Sequence, residues 1–145
     1  MGSVIALEQK AMRDQVARAE EYMRQFPQVE MPVTHHFAHM TYARELFIPK
    51  GSVLTGKIHK YSQFNILLSG ELSVLVENEV VRVKAPFRVV SPAGTKRIAY
   101  AHEDSVWITV HGTDETDLVK IEEHFIAQSE QEFLEFAHKQ LGVKP

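Results

Sequence analysis

The chain has 145 residues, of which 44% are hydrophobic and 24% charged, with a formal net charge of −3, eight His and no Cys. That length holds one domain with a substantial core, and the composition excludes disordered and fibrous classes. The acidic balance lacks the clustered Lys/Arg that duplex nucleic acid demands, no apolar run reaches the roughly 18 residues of a membrane span, and without Cys there are no disulfides or thiolate zinc sites, so a cytoplasmic protein is expected.

Apolar residues recur at Met12, Val16, Ala19, Met23 and Phe26. These steps of four, three, four and three predict an amphipathic helix over 4–26, with Lys10, Arg13, Arg18 and Glu20 mostly off its stripe. Pro27 and Pro32 then end the helix, because proline lacks an amide donor and restricts the residue before it. From residue 33 the texture changes to short β-rich runs between turn residues: THHFAHM, YARELFIP, SVLTGKIHK, FNILLSG, ELSVLVE, EVVRVK, FRVVSP, KRIAYA and SVWITVH. This rhythm predicts an antiparallel sandwich or barrel, with a hairpin turn at Glu77-Asn78-Glu79. After Gly112 helical patterning returns. Asp114 or Thr116 is expected to cap a helix carrying Leu118, Ile121 and Phe125, and Ser129-x-x-Glu132 is a capping box ahead of Phe133, Phe136, Ala137 and Leu141, with Gly142 and Pro145 as its stop. The expected division is a helix and linker over 1–32, a β-barrel over 33–112 and a helical extension over 113–145.

Two spacings identify the barrel. Gly51, five residues, Lys57-Ile58-His59, three residues, Gln63, six residues, Gly70 is the first; Pro86, five residues, Pro92-Ala93-Gly94, two residues, Arg97 is the second. Over roughly residues 42–111 the chain resembles the cupin superfamily, whose usual motifs share these intervals. The resemblance implies a mostly β, cupin-like antiparallel jelly-roll barrel flanked by helices, and tight turns at Gly51, Gly70 and Gly94. The stretches YARELFIPKGSVLTGKIHK, GTKRIAYA and VWITVHGTDETDL also look like small cupin-like proteins of tailed bacteriophages.

In the family pattern, two His and one Glu of the first motif and one His of the second hold a divalent metal. Carried onto this chain those positions are Lys57, His59, Gln63 and Arg97, and only His59 is a competent ligand. Arg97 cannot ligate, and Lys57 would first have to lose its proton. No cofactor is therefore expected, and His59 is the residue left for a metal if one binds. The same residues suit an anion. Strand alternation puts Lys57 and His59 on one face, Arg97 supplies a planar fork for carboxylate or phosphate, and Gln63 and Asn65 read neutral donors and acceptors. Trp107, with Tyr42 and Tyr100, is a candidate for stacking on a base or sugar.

The favoured reading is thus a small-molecule-binding protein, a homodimer whose cavity takes a polar or anionic guest such as a nucleotide, sugar phosphate or carboxylate. A phage protein sequestering a nucleotide-type signal is its concrete version. Two alternatives stand beside it. One is a metal-dependent oxygenase or isomerase drawing atypical ligands from His35, His36, His39, His102 or His111 around His59. The other is a module without a guest, in which Lys57 or Arg97 pairs with Glu45 or Glu71. Any acid/base chemistry would fall to His59, with Lys57 and Arg97 holding the substrate.

Overall fold

A computed structural model describes residues 2–76 and 79–141. The turn expected at Glu77-Asn78 and the helix stop at Gly142 and Pro145 lie outside the described residues. Helix α1 (Gly2–Met23) buries the expected stripe: Val16 is fully enclosed and Met12, Ala19 and Met23 are half-buried. Phe26 falls beyond the helix end and is exposed. Arg13, expected off the stripe, is only 3% exposed, because three residues before Val16 is the same helical face. Its Nε and Nη2 donate to Glu130 at 2.7 and 2.8 Å, and its Nη1 donates to the Gly94 carbonyl oxygen at 3.1 Å. The guanidinium also stands 4.5 Å from the centre of the Phe133 ring. This buried pair clamps α1 to the Gly94 turn and to the C-terminal region.

The nine β-rich runs form ten strands: β1 (Val33–Ala38), β2 (Thr41–Ile48), β3 (Val53–Thr55), β4 (Ile58–His59), β5 (Gln63–Ser69), β6 (Glu71–Val76), β7 (Glu79–Lys84), β8 (Phe87–Ser91), β9 (Ile98–Ala101) and β10 (Ser105–His111). SVLTGKIHK divides at Gly56-Lys57 into β3 and β4. After them come α2 (Leu118–Phe125), β11 (Ile126–Ala127) and α3 (Glu130–Leu141). A five-stranded sheet runs β1-β2-β10-β5-β8, a four-stranded sheet runs β3-β9-β6-β7, and β4 pairs with β11 from the C-terminal extension. Every described pairing is antiparallel. The two larger sheets share one core, in which Ile48 and Leu67 of the first meet Leu72, Val74 and Ala101 of the second.

Gly51, Gly70 and Gly94 all take positive φ, as the motif spacing anticipates. At Gly70 space is also decisive. A Cβ there would come within 2.1 Å of Ser105 Oγ and 2.5 Å of the Asp104 carbonyl oxygen, so only glycine lets the β5–β6 turn lie against the start of β10. The cap of α2 is Asp117, not Asp114 or Thr116. Its carboxylate accepts from the amides of Val119 and Lys120 at 2.9 and 3.3 Å, a reach that requires the residue directly before the helix. The second capping box forms as expected: Ser129 Oγ accepts from the Glu132 amide at 3.1 Å. The Glu132 carboxylate answers to the Gln128 amide at 2.7 Å.

Candidate functional site

Strand alternation sorts the five-stranded sheet into two faces. Facing the four-stranded sheet, the rows across neighbouring strands run Leu46, Trp107, Leu67, Phe87; then Arg44, Thr109, Asn65, Val89. Next come Tyr42 beside His111 on one side and Gln63 beside Ser91 on the other. The inner face therefore changes from apolar to polar along the strands. Across from it the same gradient runs from Leu72 and Ala101, through Val74, Ala99 and Leu54, to Arg97 just before β9. Between them lies a cavity of about 660 Å³.

The two motif segments meet at its polar end. The Gly94 amide donates to the His59 carbonyl oxygen at 2.8 Å, and the His59 amide donates to the Thr95 carbonyl oxygen at 3.3 Å. Ile58 points the other way into a cluster with Ala127 and Phe133, while His59 faces the cavity. On the far side the His111 ring stacks on His59 with centroids 6.0 Å apart and lies 4.4 Å from Phe125 of α2. Burial, then the charges of His111, Arg44 and Arg97, lowers the His59 pKa to about 4; burial and Arg44 do the same for His111. Both imidazoles are therefore neutral at pH 7.

Each expected site residue lines this cavity, in different ways. Lys57 sits at the mouth, its Nζ bound to Glu122, with the two side chains 62% and 42% exposed, instead of projecting beside His59. Asn65 is committed: Nδ2 donates to Ser91 Oγ at 2.9 Å and Oδ1 accepts from Thr109 Oγ1 at 2.8 Å. Gln63 is buried and its Oε1 lacks a partner, as does His59 Nδ1. Trp107 joins the cavity wall while packing on the core. The Arg97 guanidinium makes no hydrogen bond or ion pair with any described residue, and burial alone pulls its pKa down. The carboxylates proposed for a closed network are engaged elsewhere, Glu45 with His36 and Glu71 with Arg82.

Sequence reasoning missed Arg44 as a wall residue and left His111 only a loose possibility. Alternation holds the signal: once Trp107 faces the cavity, Thr109 and His111 must too, and their partners Leu46, Arg44 and Tyr42 follow. His35 reaches the wall through Tyr42, its Nδ1 lying 2.7 Å from the phenol oxygen. His102 instead meets Ser73 and Tyr100 away from the cavity. Tyr100 is also outside it.

These residues do not fit a divalent metal. Around His59 the donors are a second imidazole and one amide oxygen, with Arg97 and Arg44 close enough to depress its pKa. No group of three or more His, Cys, Asp or Glu arranged to hold a metal occurs among the described residues. A cation here would meet repulsion from two guanidiniums, and Glu122, the carboxylate among the described lining residues, is engaged by Lys57 at the mouth.

No protein-family model and no curated protein sequence matches the chain. Solved structures do. It is similar to KdgF from Halomonas sp., at 22% identity over 63% of this chain and 88% of that one, with a TM-score of 0.50. It is also similar to a protein with a double-stranded β-helix domain from Klebsiella pneumoniae subsp. pneumoniae, at 15% identity over 62% and 83% of the chains, with a TM-score of 0.51. A third likeness is a cupin superfamily protein from Desulfitobacterium hafniense, at 8% identity over 61% and 83%, with a TM-score of 0.49. The chain has a double-stranded β-helix fold with added terminal helices. No described helix is long and apolar enough to cross a membrane.

Proposed function

We propose that this protein binds a small anionic molecule in the cavity between its two sheets. The observation that carries the reading is Arg97: a half-buried cation, facing about 660 Å³ of space, without a carboxylate among the described residues. Holding an unpaired charge partly out of water is unfavourable, and an anionic guest is the partner that offsets the cost. The charged lining favours the same sign, since Arg44, Lys57 and Arg97 are balanced only by Glu122. The volume suits a small organic ligand. A network without a guest is disfavoured, because it would leave Arg97, Gln63 Oε1 and His59 Nδ1 unpaired. Nucleotides, sugar phosphates and carboxylates all belong to the proposed class, and sequestration of a nucleotide-type signal by a phage protein is its narrowest form.

Isothermal titration of the full chain with inorganic phosphate, nucleoside monophosphates, sugar phosphates and carboxylates tests the proposal. At least one anion binds the unaltered protein and loses its affinity in Arg97→Met. Binding that survives that change places the guest elsewhere.

The homodimer is proposed from a second surface. The outer rows of the five-stranded sheet run Ala43, Val110, Phe64, Val90; then Glu45, Ile108, Ile66, Arg88; then Phe47, Val106. Phe47, Phe64, Leu68 and Val90 are 38, 38, 57 and 65% exposed. The middle row carries an acid at one end and a guanidinium at the other. Two copies packed face to face about a two-fold axis parallel to the strands, between Ile108 and Ile66, would set Glu45 of each opposite Arg88 of the other, which is the self-complementarity an isologous interface needs.

A further inference from the structure

The cavity has two chemically distinct halves, and together they describe a guest. Its polar end holds Arg97, His59, Gln63 and His111; its other end is walled by Leu46, Ile48, Leu54, Leu72, Val74 and Trp107. We infer that the ligand is a carboxylic acid with an apolar body, an alkyl chain or an aromatic ring, lying with its carboxylate at Arg97 and its body between the sheets. The inference rests on the anion-binding reading above and narrows it.

Three observations select this class. First, the deep charge is a single unpaired guanidinium, since Arg44 is exposed and Lys57 is engaged by Glu122 at the mouth. One planar fork matches one carboxylate. A phosphate dianion would bring a second charge to a place where both imidazoles are neutral at pH 7. Second, Asn65 spends its amide on Ser91 and Thr109, which leaves Gln63 Oε1 and His59 Nδ1 as the open buried polar atoms near the head. Few donors and acceptors are left for a ribose or a sugar ring. Third, the body would lie in the apolar rows. Each sugar hydroxyl placed there without a partner costs about 1–3 kcal/mol, whereas each methylene gains about 0.8 kcal/mol. Over three hydroxyls or more that difference outweighs any advantage of phosphate over carboxylate at one arginine.

Trp107 is the chain's one tryptophan and lines the apolar half, so its fluorescence reports occupancy of that half directly. The test is a titration of the full chain at pH 7 with acetate, butyrate, hexanoate, octanoate and phenylacetate, set against AMP, glucose 6-phosphate and inorganic phosphate. Both Trp107 fluorescence and calorimetry are read, in the unaltered protein, Arg97→Met and Val74→Thr. Affinity should tighten about threefold to fourfold per added methylene. Octanoate should bind at least thirtyfold more weakly to Arg97→Met and severalfold more weakly to Val74→Thr. The chain-length series in the unaltered protein decides the matter even where Val74→Thr fails to fold. Arg97-dependent binding with no dependence on chain length overturns the apolar body and leaves the anion reading standing. So does tighter binding of AMP or glucose 6-phosphate than of every alkanoate. Alkanoate binding indifferent to Arg97→Met overturns the placement of the head, and binding by no anion in the series overturns the anion reading itself.

Discussion

The two faces of the five-stranded sheet are built from the same strands and differ by one residue of offset. On the inner face Tyr42, Arg44, Leu46 and Ile48 follow one another along β2, a graded surface enclosed by the second sheet. On the outer face the neighbours Ala43, Glu45 and Phe47 join Phe64, Ile66, Leu68, Val106, Ile108 and Val110 in an apolar field crossed by one charged row. Polar groups at one end of the enclosed face and apolar groups on the open face both depart from the usual assignment of a half-buried sheet. The difference teaches that the two faces suit different partners: the graded inner face fits the proposed guest, and the apolar outer face fits the proposed second copy.

The largest expected effect comes from breaking the outer face. Ile108→Lys with Phe64→Lys puts charge at the centre of the proposed interface and should weaken dimerisation by at least about a thousandfold, roughly 4 kcal/mol. Sedimentation velocity should then show a dimer for the unaltered chain and a monomer for the variant; a monomer for both at high concentration removes the interface. Next in size is Arg97→Met. It should cost anion affinity about a hundredfold, close to 3 kcal/mol, while raising the unfolding free energy by about 1 kcal/mol, because a desolvated cation gives way to an apolar chain of similar length. A loss of both affinity and stability would show Arg97 to be a structural residue instead.

A smaller effect concerns acid. The unfolded imidazoles of His59 and His111 take protons near pH 6.5, whereas the folded ones do so only at about 4. Between those values the unfolded chain binds more protons, so stability falls as pH drops through that window, on the order of 2 kcal/mol for each imidazole from pH 7 to 5. Urea unfolding at the two pH values measures it, and His59→Asn with His111→Asn should flatten the slope. A bound anion favours the charged imidazole, so its affinity should rise across the same interval. The smallest effect is at the mouth. Lys57→Met removes an exposed ion pair and should change stability by no more than about 0.5 kcal/mol and affinity by less than threefold in the same titrations.

The fold was legible in the sequence because its markers are local. The intervals among Gly51, Gly70 and Gly94 are set by turns whose positive φ depends on neighbouring residues alone, and β alternation is written into each run. His59, Gln63 and Arg97 were legible as cavity residues for the same reason, since their motif positions determine which way they face. The ion pairs were not. Lys57 meets Glu122 from 65 positions away, and Arg13 meets Glu130 across 117, between elements whose docking no periodicity encodes. Arg44 escaped because an arginine inside a β run looks like a solvent-facing residue until its register with Thr109 is known.

The pairing of β4 with β11 has a practical meaning for anyone cutting or tagging this chain. Ile126 lies opposite His59 and Ala127 opposite Ile58, while the Lys60 amide donates to the Phe125 carbonyl oxygen at 2.8 Å. The motif histidine is thus held from outside the two larger sheets by the tail. A fragment ending at residue 112 keeps every strand of both larger sheets yet loses the support that aims the His59 ring, so it should fold less stably and bind poorly. The tail is the splint of the site.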